Sequence, residues 1–132
     1  MADASTLMAF DFGTRRVGVA IGNRLLGQGQ ALRSLQQQGA ARFDAIAALI
    51  AEWQPSALVV GVPRHPDGQA HDNTARAQRF ARQLHGRFRL PVHEVDERYT
   101  SVEAEAQGAR DIDAASAALI LEQFFREEAN PA

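Results

Sequence analysis

Asp11 stands in the most apolar part of LMAFDFGTRRVGVAIG, residues 7–22, between Phe10 and Phe12. An unpaired carboxylate is costly to desolvate, so in such a place it must be protonated, hydrogen-bonded or matched with a cation. Three further acids share that need if the fold gathers them: Asp96 and Glu97 in VDERYT, and Asp113 at the head of DAASAALILEQFF. Converging carboxylates with no lysine nearby repel one another unless a hard divalent cation sits among them, and Mg²⁺ or Mn²⁺ suits an all-oxygen donor set. The chemistry expected of such a centre is metal-assisted, with a bound ion rather than a side-chain nucleophile activating water.

The elements that would position these acids follow from the hydrophobic pattern. Residues 7–12 and 17–22 form a hairpin about Gly13–Arg16, and 28–35 reads as a third, more exposed strand. Gly18, Ala20 and Gly22 alternate with Val17, Val19 and Ile21, which strips one face of the second strand for close approach of a helix or ligand. Over 40–54, Phe43, Ile46, Ile50 and Trp53 recur at helical spacing until Pro55. ALVVGV, 57–62, reads as a central parallel strand, followed by the loop PRHPDG and a helix over about 70–86. PVHEV, 91–95, is the last strand; a short helix is expected over 101–107 and a long one from 113. This α/β order, with right-handed crossovers, makes the strands at 7, 57 and 91 parallel neighbours with their carboxyl ends on one edge.

That edge collects Asp11, Asp96, Glu97 and Asp113. In the final helix Ala117, Ile120, Leu121, Phe124 and Phe125 define the core face, on which Asp113 lies, with Asp111 roughly opposite. Asp113 also suits a helix N-cap, and Asp96 and Glu97 suit a solvated loop beside Arg98, so spacing leaves both readings open.

Composition narrows the classes. A chain of 132 residues is one expected domain, 1–132, able to bury a core without disulfides or structural metal. With no cysteine, thiolate zinc sites and cysteine nucleophiles are excluded. His65, His71, His85 and His93 show no zinc-like spacing. MADASTL has neither a basic leader nor an apolar segment, and no run approaches membrane-spanning length, so a cytoplasmic protein without membrane association is expected. The net charge of −2 counts modestly against nucleic-acid binding. Every basic residue is arginine, however, and each can fork onto a phosphate. Thr14, Arg15 and Arg16 in the first turn, beside Asp11, are the best placed. Arg64 lies at the same edge, and Arg76, Arg79 and Arg82 form a stripe on one helix side that suits a phosphate backbone or a solvated surface equally.

DFGT followed by VGVAIG, then GVP with DG and TARA, then DER with TSVEA, and finally DAASAALIL resemble the YqgF family, also called RuvX, over nearly the whole chain. This family of the ribonuclease H-like superfamily is described both as Holliday junction resolvases and as the nuclease that matures the 5′ end of pre-16S ribosomal RNA. The resemblance implies a ribonuclease H-like fold, with a five-stranded mixed sheet and helices on both faces. It also implies a catalytic set of Asp11, Glu97 from the DER pair, and Asp113. On that reading the acids hold Mg²⁺ or Mn²⁺, and Arg15, Arg16, Arg64, Arg76, Arg79 and Arg98 serve a nucleic-acid partner, either a ribosomal RNA precursor or branched DNA, with the chain as a monomer. Two departures stand out. Only EAQGARDI separates Ala104 from Asp113 where relatives carry a longer stretch rich in glycine and lysine, and Tyr99 replaces a usual leucine. Two rivals remain: a phosphotransferase of the actin and sugar-kinase type, disfavoured by the lack of a second such domain, and a non-catalytic nucleic-acid-binding module.

Overall fold

The computed structural model describes residues 5–65, 67, 69, 72–97 and 111–129. Five strands form one sheet: β1 (Thr6–Phe12), β2 (Val17–Asn23), β3 (Gln28–Leu35), β4 (Ala57–Pro63) and β5 (Val92–Glu97), in the order β3-β2-β1-β4-β5. β1, β2 and β3 pair antiparallel, while β1–β4 and β4–β5 are parallel, so the sheet is mixed as expected. α1 (Ala40–Trp53) and α2 (Thr74–Phe88) cover one face and α3 (Ile112–Ala129) the other.

Strand parity sorts the core. Met8, Phe10, Val17, Val19, Leu58 and Val60 pack with Phe43, Ile46, Phe80 and Leu84 on the face of α1 and α2. Leu7, Ala9, Val59 and Val95 pack with Ile120, Leu121 and Phe125 of α3. β4 is buried on both faces, which its unbroken apolar run requires. Because side chains alternate along a strand, Asp11 shares the α3 face with Leu7 and Ala9, whereas Phe10 and Phe12 point the other way.

α3 lies on a glycine-lined strip. A Cβ at Gly18 would run into the Asp113 carbonyl, one at Gly29 would come within 2.5 Å of the Ala118 carbonyl oxygen, and one at Gly22 within 2.6 Å of Leu121 Cδ2. The small face of β2 is therefore a seat for a helix.

Several boundaries differ from the sequence reading. α1 buries Arg42, Phe43, Ile46 and Leu49, while Ile50 is only partly buried and Trp53 is exposed; the helical period was right but its phase was off by part of a turn. α2 begins at Thr74 rather than near 70, held by the Thr74 hydroxyl donating to the Pro63 carbonyl at 2.5 Å, and it runs through Gly86 to Phe88. β5 continues through Asp96 and Glu97, because its pairing with Val62 and Pro63 outlasts the apolar run. α3 starts at Ile112, and its N-cap is Asp111, whose Oδ1 accepts the Ala114 N–H at 3.0 Å. Asp113 is thus inside the first turn rather than at the cap. The expected helix over 101–107 and Tyr99 lie outside the described residues. Among the described residues no helix is long and apolar enough to cross a membrane.

Gly18→Ala should cost about 1–3 kcal/mol of stability, since the new methyl meets backbone that cannot yield. Gly86→Ala, where nothing lies within 4 Å of the added methyl, should gain about 0.5–1 kcal/mol from the loss of glycine's extra freedom in a helix. Urea unfolding of both variants beside wild type checks the pair.

Candidate active site

Asp11 is paired across the sheet with Gly18 of β2 on one side and Gly61 of β4 on the other. All three positions face α3, so the carboxylate has no side chain beside it at its own level. The next strand supplies its partner: Glu97 lies two residues beyond Val95, the neighbour of Gly61, and shares that face. Its Oε2 would be 3.3 Å from a Cβ on Gly61, so the glycine leaves the space over which the two carboxyl groups meet. Asp11 and Glu97 are hydrogen-bonded to each other. Glu97 is only 8% exposed, and among the described residues neither acid forms an ion pair.

Two acids in such contact must share a proton or a cation. Burial pushes the Asp11 carboxyl well above its ordinary 3.8, and the charges of Glu97 and Asp113 add to the rise. Burial also raises Glu97 above 4.5; the hydrogen bond from Asp11 opposes that rise and the charge of Asp113 reinforces it. Both carboxyls therefore hold a proton more readily than free acids do, because burial and the neighbouring acid charges disfavour ionisation.

Asp113 contributes its field to both members, but its Oδ2 is engaged by Arg16 Nε at 3.0 Å. Among the described residues no three His, Asp or Glu side chains stand close enough together to hold a metal ion in this arrangement. The donor chemistry nevertheless fits a hard divalent cation: a half-buried and a buried carboxylate with no ion-pair partner among the described residues, glycines on either side of Asp11, and a third carboxylate paired with a surface-exposed guanidinium.

Asp96 is not brought to this group. Strand parity sends it to the opposite face, where Oδ1 accepts Arg64 Nε at 3.0 Å. The pair of Arg64 and Asp96 therefore sits at the carboxyl edge but away from Asp11. Asp111 is likewise occupied. Burial pushes its carboxyl upward, but hydrogen bonds from Ser34, at 2.6 Å, and the Ala114 N–H, with the Arg16 charge, outweigh this and hold it below the ordinary carboxylate range.

The turn between β1 and β2 puts Thr14, Arg15 and Arg16 at the surface beside the acids. Its geometry depends on Arg42, which no sequence motif singles out. Arg42 is 7% exposed; Nη2 donates to the Thr14 carbonyl at 3.2 Å, Nε donates to the Gln37 carbonyl at 3.0 Å, and the guanidinium lies 5.9 Å from the Phe12 ring centroid. Gln38 Nε2 adds a bond to the Arg15 carbonyl at 3.4 Å. The turn is thus held from behind by its carbonyls. An arginine at position 3 of a helix gives no sign of this in sequence, because its carbonyl partner lies 28 residues away.

Arg76, Arg79 and Arg82 are all exposed on α2, across the sheet from Asp11. Arg76, whose Nη1 donates to Asn73 Oδ1 at 3.0 Å, is in the first turn and nearest the carboxyl edge; the other two recede from it. Arg98 and His71 lie outside the described residues.

The model of the RuvX family, described as Holliday junction resolvase, matches residues 5–127. The chain belongs to this family. It is 61% identical over 125 residues, 95% of this chain and 80% of the relative, to a protein of Albidiferax ferrireducens named "Putative pre-16S rRNA nuclease". A protein of the same name from Burkholderia pseudomallei strain 668 is 52% identical over 130 residues, covering 92% of this chain and 88% of the relative. In three dimensions the RuvX chain is similar to Thermus thermophilus RuvC solved with a Holliday junction substrate, at TM-score 0.55 and 15% identity over 95% of this chain and 96% of that one. At that identity the likeness shows the fold, which is ribonuclease H-like as the resemblance implied. Family and named relatives together support a nuclease function.

The raised carboxyls of Asp11 and Glu97 set a pH dependence. A raised carboxyl pKa stabilises the fold fully below the unfolded-chain values near 4, and that contribution is lost as pH rises through the folded-state values. Metal-free wild type should therefore lose stability above about pH 4 as these carboxyls ionise. Asp11→Asn, whose amide still donates to Glu97, should lose much less and be at least as stable at pH 8. Thermal unfolding in chelator from pH 4 to pH 8 checks the two slopes.

Proposed function

We propose that this chain is a divalent-metal-dependent nuclease that trims the 5′ end of pre-16S ribosomal RNA, acting as a single-domain monomer in the cytoplasm. The observation that carries the reading is the contact of half-buried Asp11 with buried Glu97, with no ion-pair partner among the described residues, at the carboxyl edge of a ribonuclease H-like sheet, with Asp113 beside it. The substrate follows from the names of relatives at 52–61% identity.

Asp11, Glu97 and Asp113 would hold Mg²⁺ or Mn²⁺ through carboxylate oxygens. When bound, such an ion lowers the pKa of water and offsets the charge that develops on the phosphate and the leaving oxygen. Asp11 and Glu97, both raised above their ordinary range, would hold such an ion in their ionised forms. Burial under α3 keeps bulk water from screening their charge, which strengthens their hold on a cation. Thr14, Arg15 and Arg16 line the substrate side, where the guanidinium groups fork onto phosphate oxygens and the Thr14 hydroxyl donates to one. Arg42 keeps that turn in place from the opposite side. Arg76 extends the phosphate contacts over the edge, with Arg79 and Arg98 as more distant contributors. Arg64 is held by Asp96 and reaches phosphate only by sharing its remaining N–H groups.

The family description also names Holliday junction resolution, so the deciding experiment compares substrates: a labelled 16S precursor leader, single-stranded RNA and a four-way DNA junction, each with Mg²⁺, Mn²⁺ or chelator. Metal-dependent cleavage of the precursor, absent in Asp11→Asn, supports the proposal. Preferential cleavage of the junction overturns the substrate, and equal cleavage by Asp11→Asn overturns the site.

Asp113→Asn should bring cleavage to background while Asp111→Asn retains most of it. Only the former loses a charge facing Asp11 and Glu97, and asparagine at 111 still accepts the Ala114 N–H as a cap. Single-turnover rates of the two variants check this.

A further inference from the structure

Asp113 is the third acid of the site, yet its carboxylate is spoken for by Arg16. The contact is a single Nε···Oδ2 bond of 3.0 Å, with the arginine side chain 60% exposed and the aspartate side chain 30% exposed. Ion pairs of this exposure contribute little, so the bond is easily exchanged. The backbone of Asp113, by contrast, is fixed: it lies against Gly18 so closely that no Cβ fits between them. Redirecting the carboxylate therefore requires only side-chain rotation, not movement of α3. Arg16 has somewhere to go as well. It borders a surface hollow with Ser34, Gln36, Asp111 and Ile112, beside the site and open to solvent.

We infer that Arg16 is an exchangeable counter-ion for Asp113, neutralising it in the metal-free protein and yielding it to the divalent cation on loading. This inference rests on the metal-dependent reading above and adds a positioning role for Arg16. The logic is charge balance. Without metal, the guanidinium of Arg16 offsets the Asp113 carboxylate through their direct contact. With metal, the cation supplies that balance, and Arg16 is released at the substrate side as a free phosphate contact. Metal loading and the appearance of a phosphate-binding arginine become one event. Arg15, the adjacent arginine in the same turn, has no such contact with Asp113 and serves as the internal comparison.

The test is thermal unfolding of the full chain across a Mg²⁺ titration at fixed ionic strength, in wild type, Arg16→Gln, Arg15→Gln, Asp113→Asn and the double variant Arg16→Gln/Asp113→Asn. Removing the competing cation should lower the half-saturating Mg²⁺ of Arg16→Gln by roughly two- to fivefold, the worth of an exposed pair. Arg15→Gln, which removes equal charge without freeing Asp113, should shift it by less than about twofold, as expected for a screened surface charge. In the Asp113→Asn background the Arg16→Gln effect should vanish. Equal shifts for the two arginine variants, or an Arg16→Gln shift that persists without Asp113, would overturn the exchange and leave the metal reading standing. A wild type whose melting temperature does not respond to Mg²⁺ would overturn both.

Discussion

Two carboxylic acids set against each other, Glu97 buried and Asp11 half-buried, with no ion-pair partner among the described residues, are the constraint on which the rest of this site depends. Each costs several kcal/mol if left ionised away from water, and their proximity adds to that cost. That cost shows as carboxyls raised above their ordinary range, Asp11 the more strongly. The apolar layers on both sides of the sheet, centred on Phe10, Phe80 and Leu84 on one face and on Leu7, Ile120 and Leu121 on the other, supply the stability that tolerates it. A site built this way is stressed by design of its surroundings: it stabilises whatever brings positive charge to it.

The geometry that creates the stress also closes the core. Gly18, Gly22 and Gly29 let α3 lie directly on β2 and β3, and the same approach carries Asp113 to within electrostatic reach of the pair. Gly61 does a second service on the adjacent strand, leaving the gap over which the Glu97 carboxylate sits beside Asp11. On the far side of the sheet, Arg42 and Gln38 hold the β1–β2 turn by its carbonyls, so the exposed Arg15 and Arg16 project from an anchored loop. Packing and function are not separable here, since the contacts that seat the helix and the turn are those that set the distances between charges.

Much of this was legible in the order of residues. The five strands and their mixed pairing followed from alternating and continuous apolar runs, and the small residues at 18, 20 and 22 marked a face meant for close approach. The same patterns gathered Asp11, Asp96, Glu97 and Asp113 at one sheet edge, and only the family resemblance singled out Glu97 from its neighbour. What the pattern misjudged were ends and phases. Asp96 and Glu97 read as loop because the apolar run stops at Val95, but backbone pairing with Pro63 extends the strand, and parity then separates the two acids onto opposite faces. Asp111 and Asp113 are both competent caps by type; the one that caps is Asp111, which accepts the Ala114 N–H and also the hydroxyl of Ser34 from β3.

The sequence by itself determined which residues are apolar, at what period, and therefore which strands exist and which way Asp11 points relative to Phe10 and Phe12. These are local properties, set by the two-residue repeat of a strand and the 3.6-residue repeat of a helix. Only the tertiary structure decided who neutralises whom: Glu97 with Asp11, Arg16 with Asp113, Arg64 with Asp96, and Arg42 with the Thr14 carbonyl. Partners at sequence separations of 28 to about 100 residues leave no mark on local periodicity. An electrostatic contact depends on a distance of a few ångströms, and that distance exists only once the sheet and its helices have packed.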